Sequence, residues 1–551
     1  MAGKEKLLPL FIFLGCAVLI AGIMAWNLRP QEAEELPHWE EREELPTQSA
    51  AEPTEQSLEE PRIEKPVLRL PSQDWGAPNP YLHYSRGPGI YKMQLIFDSL
   101  LERTESGYIP WLASSYEVKD DGRTIVFSLR SGVKWHDGRD LTPEDVLFSM
   151  EYALKYPPVL AHISPGEVTF RLEGDRLIAE LTTPDSTMLG KLGSVRIIPK
   201  HVYAEVTDPY TFSEPAAFIG TGPFKLDSYD KEHGTYRFVE NPAFFGPAPR
   251  VSAIEFVPVA DETLALLQGA VDAATVSPDA LGLFIANSNF GIRQNPGFWG
   301  YRLLFNLNVE PLGNLQFRQA LAYAIDREQL VELITRGAGV PGSFGLLPRD
   351  HVNYYPQVRD YPHSVELAEQ LIAEGELVIP PLTLLVAGDR EVRIGQVLKQ
   401  QLEKIGVELV VRSVDARTKD TLVQEGNYQL ALLGHGGMGM DPDYLRLRFA
   451  WEGPSQLVSQ FTSAGFHHPK IKELALLQRE ATDPAVRQEL LNQLQELLAE
   501  NVPEILLFCT TDFFVYNRAK LDSWVYMFDH HEPTHSKLSY LMQEDSAQTN
   551  E

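Results

Sequence analysis

Residues Trp111–Met150 read WLASSYEVKDDGRTIVFSLRSGVKWHDGRDLTPEDVLFSM, a stretch that combines a hairpin, a turn and a capped helix start. The segment Thr124–Leu129 is rich in β-forming residues and follows Asp121-Gly122, a pair that favours a tight turn. Further along, Thr142 is a candidate N-cap of a helix. Pro143 would then occupy the first helical position, where proline is favoured. These residues predict a β-β-loop-α unit.

The same stretch also carries a specific pattern, DDG-x-T-x-x-F-x-LR-x-GVKWHDG-x-x-LT-x-EDV-x-F-S. It closely resembles the signature segment of the peptide/nickel group of extracellular solute-binding proteins, family 5, which are receptors of ABC importers. Two further segments, Gly220–Leu226 (GTGPFKL) and Val257–Thr275, resemble the same family. The resemblance extends over about Val67–Ser539.

This resemblance implies an α/β, two-lobed periplasmic-binding-protein-like fold of the class II type, with an extra α+β subdomain in the first lobe. The length agrees, because about 480 residues exceed what a single hydrophobic core organises. The predicted parts are a cytoplasmic N-terminus at 1–6, a transmembrane signal anchor at 7–26, a disordered acidic linker rich in Pro and Glu at 27–66, lobe I at 67–306 with its subdomain at about 85–210, lobe II at 307–503, a return to lobe I at 504–541 and a flexible tail at 542–551.

The N-terminal segment Leu7–Trp26 contains no charged residue. As a helix it would span roughly 30 Å, the thickness of a bilayer core. Lysines precede it and a strongly acidic stretch follows, which predicts a single-pass anchor in the cell membrane with the folded part on the extracytoplasmic side. Two alternatives are a secretory signal cleaved near Ala25 and a lipoprotein signal that uses Cys16.

Composition excludes some functions and leaves others open. The formal net charge of −28 argues against binding to nucleic acid. Only two cysteines are present, Cys16 and Cys509, so the exported part contains no internal disulfide.

Within the first lobe, Ile90–Leu101 has apolar residues at helical spacing and predicts an amphipathic helix.

Two aspartates are the first candidate ligand contacts. Gly434–Gly439, here called the glycine loop, fits G-x-G-x-x-G, but Asp441 follows where a phosphate-binding helix would have to begin, which argues against a nucleotide. A strand is predicted at Tyr428–Leu433, just before the glycine loop, and the resembling family places an acidic side chain after this strand for the amino terminus of a peptide. Asp441 is the best positional match to this acidic residue, and Asp443 is the second best. Alternatively, Asp441 only initiates a turn and does not contact the ligand.

The resemblance also singles out an arginine and three aromatic residues. Arg390 lies where some family members present an arginine to a peptide carboxylate, which its planar fork fits well, and the alternative is a solvated loop residue. Trp299, Tyr301 and Trp451 are candidate aromatic contacts, because ligand sites between domains are largely apolar with a few polar anchors. One or two of the three are expected at the ligand.

Three histidine-containing segments could suggest enzymatic or metal chemistry. Neighbours such as His136 and Asp137 rarely form an acid-base pair, because catalytic groups converge from separate elements. The segment Asp529–His535 and the pair His467-His468 show no spacing of a closed zinc site. We therefore expect no enzyme activity, no cofactor and no metal.

The resemblance implies a membrane-tethered receptor of an ABC importer that captures oligopeptides or dipeptides in a cleft between the lobes. The alternatives are a receptor for nickel chelates or another small solute, a ligand sensor that docks on a signalling protein, and an extracellular hydrolase. No Walker A motif is present, so the ATPase of such an importer must be a separate subunit. The expected partners are the solute, ABC permease subunits and, through the N-terminal helix, the membrane, and the protein is expected to be a monomer.

Overall fold

The computed structural model describes residues 65–84, 88–104, 106–159, 163–439, 441–451, 461–527 and 531–541. The predicted membrane anchor at 7–26, the linker before residue 65 and the tail at 542–551 lie outside these ranges. Within them, no helix combines the length and apolarity needed to cross a membrane.

The chain alternates strands and helices throughout the described ranges. The strands are β1 Val67–Ser72, β2 Leu101–Thr104, β3 Gly107–Pro110, β4 Ala113–Lys119, β5 Thr124–Leu129, β6 Val168–Glu173, β7 Arg176–Leu181, β8 Phe224–Asp230, β9 Thr235–Glu240, β10 Ala253–Pro258, β11 Ala273–Val276, β12 Phe290–Gln294, β13 Trp299–Phe305, β14 Gly339–Pro341, β15 Leu382–Val386, β16 Leu409–Ser413, β17 Leu430–His435, β18 Glu504–Thr510 and β19 Phe513–Asn517.

The helices are α1 Gly89–Met93, α2 Pro143–Lys155, α3 Met188–Gly193, α4 Lys200–Tyr203, α5 Glu262–Leu267, α6 Gly282–Ile285, α7 Leu315–Ala324, α8 Arg327–Thr335, α9 Val365–Glu374, α10 Gly388–Glu403, α11 Ala416–Gln424, α12 Tyr444–Phe449, α13 Pro469–Glu480 and α14 Pro484–Asn501. Apart from the 13-residue α2, the described helices before the six-stranded sheet have at most six residues, and apart from the six-residue α12, those after it begins have nine or more.

The fold is the predicted two-lobed α/β fold, with separate sheets in each lobe. The first lobe contains the sheets β1-β10-β9-β8, β11-β19-β12, β4-β5-β7-β6 and β2-β3. The second lobe is organised around the six-stranded sheet β14-β18-β13-β17-β15-β16. Large separate clusters of buried apolar side chains form the cores of the six-stranded sheet and of the sheet that contains β5.

The structure confirms the unit predicted around β5. The strand has the predicted bounds, and β4 and β5 form an antiparallel hairpin. Thr142 caps α2 by accepting a hydrogen bond from the Asp145 backbone, Asp145 caps in return, and Pro143 is the first helical residue. Trp135 is buried in the core beneath this unit. The unit is therefore part of the framework of the first lobe.

The amphipathic helix predicted over Ile90–Leu101 is wrong, because α1 ends at Met93. Beyond it the backbone bonds to another segment, as the Gly222 N–H donates to the Ile96 carbonyl at 2.7 Å. A Cβ at Gly222 would lie 2.6 Å from that carbonyl oxygen, so only glycine permits the approach. Tertiary contacts have replaced the helix, and Lys92 in the short α1 points into the protein instead of to solvent.

Strand pairing bears on where the lobes begin and end. The sequence assigns β13 and β18 to the first lobe, with boundaries at 306/307 and 503/504. In the structure both strands lie inside the six-stranded sheet, where β13 pairs with β17 and β18. We propose that the chain crosses between lobes at residues 295–298 and 511–512 instead.

Candidate functional site

The carboxyl ends of four strands meet at one edge of the six-stranded sheet. β15, β16 and β17 are parallel, and β18 runs the same way because β13 is antiparallel to both β17 and β18. At this edge lie Ala387–Arg390 after β15, the glycine loop after β17 and Thr510 at the end of β18, with Trp299 paired to Thr510. Ligands bind outside the carboxyl ends of strands in open α/β sheets. This edge is the candidate binding surface of the second lobe.

The glycine loop packs tightly on the strand beside it. Met438 is fully buried, and a Cβ at Gly300 would lie 2.1 Å from its sulfur. A Cβ at Gly439 would in turn lie 2.3 Å from the ring of Phe298. The glycines thus allow close packing against the start of β13, and after them Asp441 is followed by the short helix α12.

Both predicted carboxylate contacts are already held in ion pairs within the second lobe. The Asp441 carboxylate accepts from both terminal nitrogens of Arg487, one of them at 2.9 Å. The Asp443 carboxylate accepts from Arg446 at 2.6 and 2.8 Å and from the Gln478 amide at 2.8 Å. Each aspartate is therefore neutralised without a ligand, and their role in ligand binding stays a prediction.

Arg390 lies at the carboxyl edge, exposed, in the first turn of α10. A cation at a helix N-terminus is disfavoured by the helix dipole. Asp512 compensates, since its carboxylate is close enough to interact with Arg390. Burial raises the pKa of Asp512, and the positive charge of Arg390 opposes this rise. This electrostatic interaction connects the carboxyl edge of the six-stranded sheet to the segment at residues 511–512.

The three predicted aromatic contacts differ in exposure. Tyr301 is buried in the core of the six-stranded sheet, with its ring centroid 5.2 Å from that of Phe508. Trp299 is partly buried against the same core, and Trp451 is 37% exposed. Trp299 and Trp451 retain accessible ring surface, whereas a ligand contact for Tyr301 stays a prediction without such support.

A cavity of about 480 Å³ lies at the carboxyl ends of β1 and β10, which are parallel neighbours in the first lobe. Its volume is within the range of small-molecule sites. Apolar, aromatic and charged side chains share its surface: Leu70, Pro71, Ser72, Gln73, Trp75, Pro88, Tyr91, Lys92, Phe256, Pro258, Val259, Glu262, Ala273, Glu532, Thr534 and His535. We call it the first-lobe cavity.

Two carboxylates line this cavity, and a third lies beside it. The Glu532 carboxylate accepts from the hydroxyls of Thr275 at 2.5 Å and Thr534 at 3.2 Å. Burial raises the pKa of Glu532, and the charge of Asp512 adds to the rise. Burial raises the pKa of Glu262 to about 7, with a further contribution from the charge of Glu532. The first-lobe cavity therefore lies within electrostatic reach of Asp512.

The cavity also contains a buried cation. Lys92 is only 3% exposed, and its ammonium lies 5.0 Å from the ring centroid of Tyr236 and 4.5 Å from that of Phe256. Burial lowers the pKa of Lys92 to about 7, whereas the charges of Glu532 and Asp74 favour its protonated form. Opposite charges thus line one small cavity.

The histidine segments have structural partners. His136 Nε2 lies 3.0 Å from the Gly222 carbonyl, and burial lowers the pKa of His136 to about 4. Asp137 contacts His201 instead, at 2.9 Å. His468 caps α13. In the part of the chain that the structure describes, no group of three or more His, Cys, Asp or Glu side chains could hold a metal ion.

Sequence reasoning missed Lys92 and Glu262 as site residues and considered Glu532 only as a metal ligand. These residues come from three distant parts of the chain, so no local spacing connects them. The partial signal was Val257–Thr275, a family-like segment that contains Glu262 and supplies Thr275 to Glu532.

Comparison with known proteins supports the resemblance. The family model of bacterial extracellular solute-binding proteins, family 5, matches residues 107–455. The chain is similar to the dipeptide-binding protein of Escherichia coli K12, with 25% identity over 443 residues, 74% of this chain and 81% of that protein. It is also similar to heme-binding protein A of Haemophilus influenzae, with 26% identity over 389 residues, 64% of this chain and 70% of that protein.

Solved structures share the fold. The ABC transporter substrate-binding protein CtaP of Listeria monocytogenes matches with a TM-score of 0.73 and 21% identity, over 82% of this chain and 93% of that one. NikZ of Campylobacter jejuni, solved in complex with Ni(L-His), matches with a TM-score of 0.71 and 22% identity, over 87% and 99%.

Proposed function

The chain belongs to the bacterial extracellular solute-binding proteins of family 5, and we propose that it captures short peptides between its two lobes for an ABC importer. The similarity to a dipeptide-binding protein supports peptides as the solute class. The observation that carries the proposal is the first-lobe cavity, which offers both signs of charge to a ligand. A short peptide is a zwitterion at neutral pH and needs both.

Glu532 and Glu262 are the proposed partners of the peptide ammonium. Both carboxylates line the first-lobe cavity, where burial raises the pKa of each, and the charge of Glu532 at Glu262 and of Asp512 at Glu532 adds to the rise. An ammonium placed among them would relieve this repulsion through charge-assisted hydrogen bonds. The two threonine hydroxyls on Glu532 hold its carboxylate in place before the ligand arrives.

Arg390 and Trp299 are the proposed contacts from the second lobe. Both lie at the carboxyl edge of the six-stranded sheet, and Arg390 reaches electrostatically to Asp512 at the crossing between lobes. A ligand that touches both lobes binds best when they are closed on it. It therefore shifts the population towards the closed state by its differential affinity.

Closure would give a permease a surface to recognise, and no covalent chemistry is needed for this role. The ATPase would be a separate subunit. The N-terminal segment at 7–26 would tether the receptor, a monomer, to the extracytoplasmic side of the cell membrane. The acidic linker would leave the folded part free to reach the permease.

The test is native mass spectrometry, first of the protein as purified and then after incubation with a random dipeptide library. A co-purified peptide, or retention of library members, is the expected result. The variant Glu532→Gln should retain less, and Glu403→Gln, which changes an exposed residue at the end of α10, should match the wild type.

Three outcomes would contradict the proposal. A bound metal chelate with no retained peptide would favour the chelate receptor. Hydrolysis of library members would indicate an enzyme. A closed, peptide-bound form that binds a signalling protein and not a permease would favour the sensor.

A further inference from the structure

Lys92 has an unusual environment for a lysine. Its side chain is buried beneath the first-lobe cavity, against the rings of Tyr236 and Phe256. Across the described residues, its ammonium has neither a hydrogen bond nor an ion pair. An ammonium carries three donors, and burying it without partners is energetically costly. The cation–π contacts offset only part of that cost.

The nearby carboxylates do not supply the missing partner, because no hydrogen bond or ion pair joins Asp74 or Glu532 to the Lys92 ammonium, and each accepts from other donors. Asp74 accepts from the hydroxyls of Tyr84 and Tyr229, both at 2.6 Å. Glu532 accepts from two threonine hydroxyls. Both carboxylates act on Lys92 only through space. Lys92 lines the first-lobe cavity, so an acceptor bound there can approach its ammonium.

We propose that Lys92 binds the carboxylate of the ligand and makes the first-lobe cavity selective for solutes with a free carboxyl end. This inference rests on the proposed function, which it deepens by assigning the acidic end of the peptide to Lys92. Sequence reasoning had assigned that end to Arg390, but Arg390 is exposed and interacts with Asp512.

The placement of both charges also limits ligand length. A sphere of 480 Å³ is about 10 Å across, and an extended peptide advances ~3.5 Å per residue. If Glu532 and Glu262 hold the ammonium and Lys92 holds the carboxylate, both ends of the peptide lie within this one cavity. The geometry therefore favours peptides of two or three residues over longer ones.

The experiment compares two random dipeptide libraries, one with free carboxyl ends and one with amidated ends. Affinities are measured by competition in native mass spectrometry and confirmed by calorimetry on the retained members. The variants are Lys92→Met, which keeps an unbranched side chain one atom shorter and removes the charge, and Lys399→Met, an exposed control on α10. The wild type should prefer free carboxyl ends by about 10- to 100-fold, the strength of a charge-assisted hydrogen bond.

Lys92→Met should lose this preference and bind amidated dipeptides as the wild type does, whereas Lys399→Met should keep it. If the wild type binds both libraries equally, or if Lys92→Met keeps the preference, the role of Lys92 is overturned and peptide capture stands. Retention of neither library by the wild type overturns peptide capture itself, and the assignment of Lys92 with it.

Random tripeptides and hexapeptides provide the length test, and stronger retention of hexapeptides would overturn the length limit.

Discussion

In the second lobe, Asp441 and Asp443 each face an arginine of the same lobe, whereas in the first lobe Lys92 and Glu262 line a cavity without an ion pair among the described residues. The paired aspartates can contribute to the fold whether or not a ligand is present. The buried, unpaired ammonium of Lys92 raises the free energy of the empty protein and can be stabilised by a ligand. We therefore expect opposite responses when the two sets are mutated.

The largest expected effect is on stability, at Asp443. Asp443→Ala leaves the Arg446 guanidinium buried without its carboxylate, which costs ~3–5 kcal/mol for a buried pair. Urea unfolding followed by circular dichroism measures the loss. The double variant Asp443→Ala/Arg446→Met should recover much of it. An unchanged urea midpoint for Asp443→Ala would show that the Asp443–Arg446 pair does not stabilise the second lobe.

At Glu532 we expect the main effect on affinity. Glu532→Gln keeps the shape of the side chain and removes the charge that faces the peptide ammonium. Affinity for dipeptides with a free amino end should fall about 10- to 100-fold. Calorimetry measures this, with N-acetylated dipeptides as ligand control. An equal loss for acetylated and free dipeptides would mean that Glu532 does not recognise the ammonium.

Replacement of Lys92 should stabilise the empty protein, the reverse of the effect at Asp443. Lys92→Met removes a buried charge that has no hydrogen-bond partner, and we expect a gain of ~1–3 kcal/mol in the free energy of unfolding. The pKa of Lys92 is lowered to about 7 in the folded state, so the unfolded chain binds the proton more tightly above pH 7. Wild-type stability should therefore rise from pH 7 towards 10 relative to Lys92→Met, and urea unfolding at several pH values tests both points.

The preference for free carboxyl ends should also depend on pH. Only the protonated form of Lys92 attracts a carboxylate, so the ratio of affinities for free and amidated dipeptides should fall as pH rises above about 7, by at most tenfold per unit. Glu532 and Asp74 face Lys92, and Glu262, Tyr91 and His535 share the cavity. Taking the ratio cancels their effects on the rest of the peptide. A ratio constant from pH 6 to 9 would contradict the assignment.

The framework of the first lobe could be predicted from sequence because its signals are local. The turn before β5, the cap at Thr142 and Pro143 lie within a few residues of the elements that they define. The same local reasoning failed at Ile90–Leu101, where contacts with Gly222 override the helical spacing. The predicted amphipathic helix would have placed Lys92 on the exposed face, whereas Lys92 is buried in the structure.

The site was harder to predict because its charges meet only in three dimensions. Lys92, Glu262 and Glu532 are separated by well over a hundred residues in sequence, and no spacing rule relates them. Asp441 matched a family position through a glycine-rich loop, but sequence could not show its partner. That partner, Arg487, is 46 residues further along, on α14.

The smallest expected effect is at Asp441, where the two sets of charges can be compared most directly. Its pair with Arg487 is partly exposed, so Asp441→Ala should cost at most ~1 kcal/mol of stability. Affinity for dipeptides should stay within about threefold, since the carboxylate is neutralised by Arg487 and a loss of 1.4 kcal/mol would already be tenfold. Calorimetry with free and N-acetylated dipeptides measures this. A tenfold loss confined to free amino ends would place the ammonium at Asp441 after all, and the paired charges of the second lobe would then serve the ligand as well as the fold.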